Sequence, residues 1–141
     1  MFRTVSVIAV ILLYAGCAGD SSDSVMLVKN GQAASLIVIA DKPTAAAQQG
    51  AEDLQMWIKK ASGATLPVIS ESKISENQEE SLILIGNTKR TRDLGIDAGT
   101  FNLEEFVIQT LPGTLVLVGD DERPDGVALT GTQLAVDTFA D

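Results

Sequence analysis

Across 141 residues the chain sets 10 Lys and Arg against 19 Asp and Glu, a formal net charge of −9 with no basic cluster to offset it, which excludes a nucleic-acid backbone as partner. It contains no histidine, so a Ser-His-Asp or Cys-His relay, a His-ligated zinc site and imidazole acid/base chemistry are excluded by inventory. With the first seventeen residues set aside, about 120 remain, enough for one ordinary core and therefore one domain.

Residues 1–17, MFRTVSVIAVILLYAGC, place one positive charge at Arg3 before an apolar run from Val5 to Leu13 and the small pair Ala15-Gly16. That is the pattern of a secretory signal, too short to span a bilayer as a mature helix, so the chain is expected to be exported. Cys17 directly after Ala-Gly resembles a bacterial lipobox, although Tyr14 stands where leucine is more usual. The resemblance implies lipidation at Cys17 and a lipid anchor to the cell envelope, periplasmic or outer-membrane. The alternative is an unmodified cysteine beside an ordinary cleavage site, in a secreted protein. As the single cysteine, Cys17 can form no disulfide within the chain. Residues 18–24, AGDSSDS, read as a flexible tether, and the domain as residues 25–141.

Val25 to Val28 reads as a short strand, Asn30-Gly31 as a tight turn, and Ser35 to Ala40 as a returning β-branched strand, together a first hairpin. Thr44 is placed to cap a helix. Apolar or small residues recur at Ala47, Gly50, Ala51, Leu54, Ile58 and Ala61, which predicts an amphipathic helix of about eighteen residues. Lys59 and Lys60 suit the negative end of its dipole, and Gly63 suits a left-handed cap. Leu66 to Ser70 predicts a strand opened by Pro67, and Glu71 to Glu80 a solvated loop. Ser81 to Gly86, apolar throughout its centre, predicts a strand buried on both faces. Lys89 to Asp97 reads as a short helix or irregular turn. Glu105 to Thr110 and Thr114 to Gly119, joined through Leu111-Pro112-Gly113, predict a second hairpin. Gly131 to Asp141 reads as the opening of a helix. Because the strands look joined mostly by hairpins, the expected class is α+β: a twisted, mostly antiparallel or mixed sheet with one long helix packed on one face.

The order of these pieces carries a family resemblance. Ala51, Leu54 and Ile58 precede SGATLPV at 62–68, then ILIGNT at 83–88, then Phe106-Val107-Ile108 with LVLVGD at 115–120, and last Gly131-Thr132 with Ala135, Val136 and Phe139. Together they resemble the N-terminal, non-catalytic domain of α-glucuronidases of glycoside hydrolase family 67. The same type of domain, β-hexosaminidase domain 2-like, precedes the catalytic barrel in β-hexosaminidases of family 20. The resemblance covers residues 25 to 139. It departs at the last helix, where relatives commonly carry tyrosines and this chain has Leu134 and Asp137. It implies a partner: a (β/α)8 barrel, lost, truncated or separately encoded, whose paired carboxylates carry out the hydrolysis. The parent activity so implied is release of glucuronic or methylglucuronic acid from xylan fragments during polysaccharide breakdown. A hexosaminidase-like parent, or a free-standing surface lipoprotein binding glycan or protein without turnover, are the alternatives.

No catalytic, cofactor or metal residue is assigned within the chain itself, but three sets invite a site. Asp120-Asp121-Glu122-Arg123-Pro124-Asp125-Gly126 gathers four carboxylates, yet its spacing fails the calcium-loop pattern and a solvated turn is the simpler account. Trp57 has the ring for stacking on a sugar, but lies beside Leu54 and Ile58, where partial burial is expected. Lys89, Arg90 and Arg92 have the charge to hold a uronate carboxylate, or serve only as solubilising charge. Leu134, Val136 and Phe139 are expected to form an exposed apolar patch.

Overall fold

The structure is a computed structural model that describes residues 23–122 and 128–141. The leader, Cys17, most of the tether and Arg123 to Gly126 of the acidic stretch lie outside the described residues. Among the described residues no helix is long and apolar enough to cross a membrane.

Asn30 and Gly31 both adopt positive φ, 52° and 76°, as a tight hairpin turn of the mirror-image type requires. The hairpin is smaller than expected. It joins β1 (Val28–Lys29) to β2 (Gln32–Ala33), pairing Val28 with Ala33 and Lys29 with Gln32. The next strand, β3 (Ser35–Ile39), leaves this ribbon and enters the main sheet. The Ser35 hydroxyl donates to the Met26 carbonyl at 2.6 Å, and the Ala34 amide to Leu27 at 3.0 Å, so the ribbon stays tied to the sheet.

Helix α1 (Ala45–Ser62) starts where Thr44 caps it, the threonine hydroxyl accepting from the Ala47 amide at 3.1 Å. It stops at Gly63, in the left-handed region, whose amide donates to Lys59 O at 2.8 Å. Strand β4 (Val68–Ser70) follows, then a 3-10 turn (Glu71–Lys73), β5 (Ser81–Ile85), the short α2 (Lys89–Asp93) and a second 3-10 turn (Ala98–Thr100). The hairpin of β6 (Phe106–Leu111) and β7 (Thr114–Gly119) precedes α3 (Gly131–Ala140).

The five-stranded sheet runs β4-β3-β5-β7-β6. It is mixed, and the class is α+β, but hairpins are not what orders it: β4, β3, β5 and β7 pair in parallel, and only β6 is antiparallel, to β7. A hairpin can join only antiparallel neighbours, whereas here α1 carries the chain from β3 to β4, and β6 itself lies within the connection between β5 and β7.

Strand alternation sorts the core into two layers. Ile37, Ile39, Ile83, Ile85, Leu115 and Leu117 face α1 and α3 and bury Ala47, Ala51, Leu54, Ala135 and Val136. Val38, Leu82, Leu84, Val116 and Val118 face the other way, onto Ala98 and the partly buried Ile74, Ile96 and Phe101. The central strand β5 is thus buried on both faces. The long helix also has company on its face: α3 lies alongside α1, with Gly50 opposite Val136. Val136 is consequently fully buried and Leu134 and Phe139 half-buried, so the expected exposed patch does not form. Helix α3 finds its partner within the domain.

Candidate functional site

Asp120 to Glu122, the described part of the acidic stretch, sit at the carboxyl end of β7, where the chain must cross to the helix layer. Gly119 and Gly131 bring two backbones together there. A Cβ on Gly119 would lie 2.1 Å from the Gly131 carbonyl carbon, and one on Gly131 would lie 2.3 Å from the Asp120 nitrogen. Such distances leave room for hydrogen alone. The close approach is closed by hydrogen bonds: Gly131 N–H to Asp120 O at 3.0 Å, Gly119 N–H to the Thr132 hydroxyl at 3.1 Å, and Leu129 N–H to Asp121 O at 2.7 Å.

In this junction Asp120 and Asp121 are each 8% exposed, which corrects the expectation of a solvated turn for these two residues. Asp121 Oδ2 accepts from the Thr44 hydroxyl at 2.6 Å, and Oδ1 accepts from the Thr132 amide at 2.7 Å. Thr44 caps α1, and Thr132 lies in the first turn of α3. One carboxylate therefore stands at two helix N-termini, where amides that have no intrahelical acceptor and the positive ends of the helix dipoles favour negative charge. Glu122 is exposed and forms an isolated antiparallel bridge with Ala128. Among the described residues no cluster of three or more His, Cys, Asp or Glu is placed to hold a metal ion.

On the opposite sheet face a cleft of about 730 Å³ runs between α2 and the 3-10 turn after β4. Lys89, Arg90 and Arg92 line one side, Asp41, Glu71 and Asp93 contribute carboxylates, and Leu82 and Leu84 come from the sheet. The three cations thus line one cleft. Helix α2 is held by its own small polar network. The Thr88 hydroxyl accepts from the Thr91 amide at 3.0 Å, Thr91 donates to Gly86 O at 3.2 Å, and Glu71 accepts from the Lys89 amide at 2.6 Å. Arg92 Nη1 donates to Asn87 O at 2.8 Å, so its guanidinium is partly committed to the fold. Lys89 and Arg90 remain exposed.

Trp57 is half-buried and packs against the helix-side core. Its remaining surface lines a groove of about 640 Å³ between the ends of α1 and α3, with Lys60, Ala61, Asp137 and Ala140. It is the sole ring there, so the groove lacks the several-ring platform with which proteins stack on sugars.

Sequence reasoning found the Thr44 cap but missed its bond to Asp121, 77 residues away, and the role of Gln133, whose amide donates to Asp53 Oδ2 on α1 at 2.7 Å. The one available signal was the pair of glycines flanking the acidic stretch, Gly119 and Gly131. No family model matches the chain, and neither does any of the curated proteins with which it was compared.

Proposed function

We propose that this chain is the non-catalytic accessory domain of an exported α-glucuronidase-like glycoside hydrolase, anchored to the cell envelope through Cys17 and working beside a catalytic barrel in xylan breakdown. The reading rests on the ordered motifs between residues 25 and 139, and one structural observation supports it most: Asp121, buried to the same degree as Asp120, has both oxygens committed to Thr44 and Thr132. A glycosidase needs two carboxyl groups facing each other across a sugar, about 5 to 9 Å apart. Asp120 and Asp121 are instead consecutive residues packed into a backbone crossing. The chemistry then belongs to the partner, and this domain supplies a stable face for it.

A second reading has its own observation. The cleft beside α2, with Lys89 and Arg90 exposed at its side, suits a surface lipoprotein that binds an acidic glycan without turnover.

The test is direct. The purified chain should release no glucuronate from aldouronic acids, and should raise the melting temperature of an α-glucuronidase barrel lacking its own N-terminal domain. Release of glucuronate by the chain alone, abolished by Asp120→Asn in a protein that still folds, would overturn the proposal. Saturable binding of the same oligosaccharides by the chain alone, lost in Arg90→Ala, would establish the second reading in its place.

A further inference from the structure

The two edges of the five-stranded sheet are finished differently. At one edge β4 has only three residues, follows Pro67 and turns at once into the 3-10 turn, so it offers little backbone to a stranger. At the other, β6 is six residues long, pairs with β7 without a bulge over six consecutive positions, and contains no charge, proline or glycine. Ile108 is 38% exposed, and Gln109 and Thr110 are exposed beside it. Strands of this kind at an open edge are templates for another strand unless something blunts them.

The direction of the free backbone groups can be derived. Asp120 N–H donates to Glu105 O at 3.0 Å, which makes Glu105 and Asp120 an inward, hydrogen-bonded pair. Alternation along the antiparallel ladder then assigns Val107, Gln109 and Leu111 to β7 and turns the N–H and C=O groups of Phe106, Ile108 and Thr110 outward. Those three residues are symmetric about Ile108.

We propose that β6 pairs antiparallel with β6 of a second copy of this chain about a two-fold axis through Ile108, making one continuous sheet. Phe106 then exchanges bonds with Thr110 of the copy, Ile108 with Ile108, and Thr110 with Phe106, about six main-chain hydrogen bonds in all. The register keeps each side chain on its own face: Ile108 meets Ile108 on the helix side, Val107 meets Gln109 on the other. Charge selects the direction. Antiparallel pairing sends Glu104 and Glu105 of the two copies to opposite ends of the seam, whereas parallel pairing would set like charges side by side. Both copies carry an excess of carboxylates, so their general repulsion is relieved by salt, and association should strengthen as ionic strength rises. The inference is independent of the functional reading above.

The experiment uses a chain beginning at Ala18. That start lies just past the expected cleavage site and before both core clusters of the described residues, and it removes Cys17, the single thiol that would link two copies. Sedimentation velocity over a wide concentration range should show a monomer–dimer equilibrium. Ile108→Lys should weaken it about tenfold or more by setting two ammonium groups face to face. Thr110→Pro removes an outward N–H without touching a bond to β7, and should weaken dimerisation likewise. Should either variant fail to fold, hydrogen exchange on the unmodified chain decides: the amides of Phe106, Ile108 and Thr110 should become protected as concentration increases. A chain that stays monomeric throughout, including one that takes up only an added foreign strand, overturns the proposal. So does a dimer whose protection lies away from β6 or that survives both substitutions in folded protein.

Discussion

At the end of β7, Asp120 and Asp121 are nearly withdrawn from water and the backbone of Gly119 touches that of Gly131, while across the sheet Lys89 and Arg90 stand in solvent beside an open cleft. Both regions are short, charged, loop-like stretches following an apolar strand, and in sequence they look alike. What separates them is the element each connection must reach. The chain leaving β7 enters a helix that lies against α1, so its turn is pressed into the junction of two helix N-termini. There buried amides need an acceptor, and Asp121 supplies it. The chain leaving β5 makes a five-residue helix over the other face, whose first-turn amides are met by Thr88 and Glu71, so its long cations are left to the solvent. Charge type says little about burial; the donors left over by neighbouring elements decide it.

Substitutions that exchange the characters of the two regions probe this contrast. The largest effect is expected at the backbone crossing. Gly131→Ala should raise helix propensity by up to about 1 kcal/mol, yet its methyl would meet the Asp120 nitrogen at 2.3 Å. The clash should win, with a net loss of at least about 3 kcal/mol in urea unfolding. A stabilised variant would show that the two backbones are free to move apart.

Next comes the carboxylate. Asp121→Ala leaves the Thr132 amide without its acceptor and Thr44 without its anchor, and should lower stability by about 3 kcal/mol, while Asp121→Asn, which keeps an oxygen for Thr132, should lose roughly half as much. Combined with Thr44→Ala, which by itself removes a cap worth about 1 kcal/mol, a double-mutant cycle should return a coupling of about 1 kcal/mol. Additive losses would mean that the 2.6 Å contact between these side chains carries no energy.

The smallest effects belong to the cleft. Lys89→Ala and Arg90→Ala should each change stability by no more than about 0.5 kcal/mol, because exposed side chains away from packing contribute little. A larger loss in either would place these cations with Asp121 among the groups that hold the fold, and would erase the distinction between the two regions.

Much of the local structure was legible in the chain. The spacing of Ala47, Gly50, Ala51 and Leu54, bracketed by Thr44 and Gly63, defines α1, and the observed helix has those caps. The unbroken apolar run at Ser81 to Ile85 marks a strand covered on both sides, and Pro112-Gly113 marks the turn between β6 and β7. These signals are short-range, set by the period of a helix, the pleat of a strand or the dihedral demands of a turn. The pairing of the strand that follows Asn30-Gly31 differs from the expected hairpin, since alternation cannot tell a partner in a hairpin from a neighbour in a parallel sheet. The sites were legible only in part. Lys89, Arg90 and Arg92 fall together because they are close in sequence, whereas nothing near Asp121 points to Thr44.

The sequence by itself determined α1, the central strand β5, the β6–β7 hairpin and most of the residues apolar enough to bury, because each of those follows from dihedral preference and hydrophobic periodicity within a few positions. Only the tertiary structure decided that the sheet is largely parallel, that α3 packs beside α1, that Asp121 serves two helices and that, among the described residues, β6 is left with an open edge. Strand order and helix packing settle which unpaired donors and acceptors meet, and those meetings join residues as distant as Thr44 and Asp121, between which no local pattern extends.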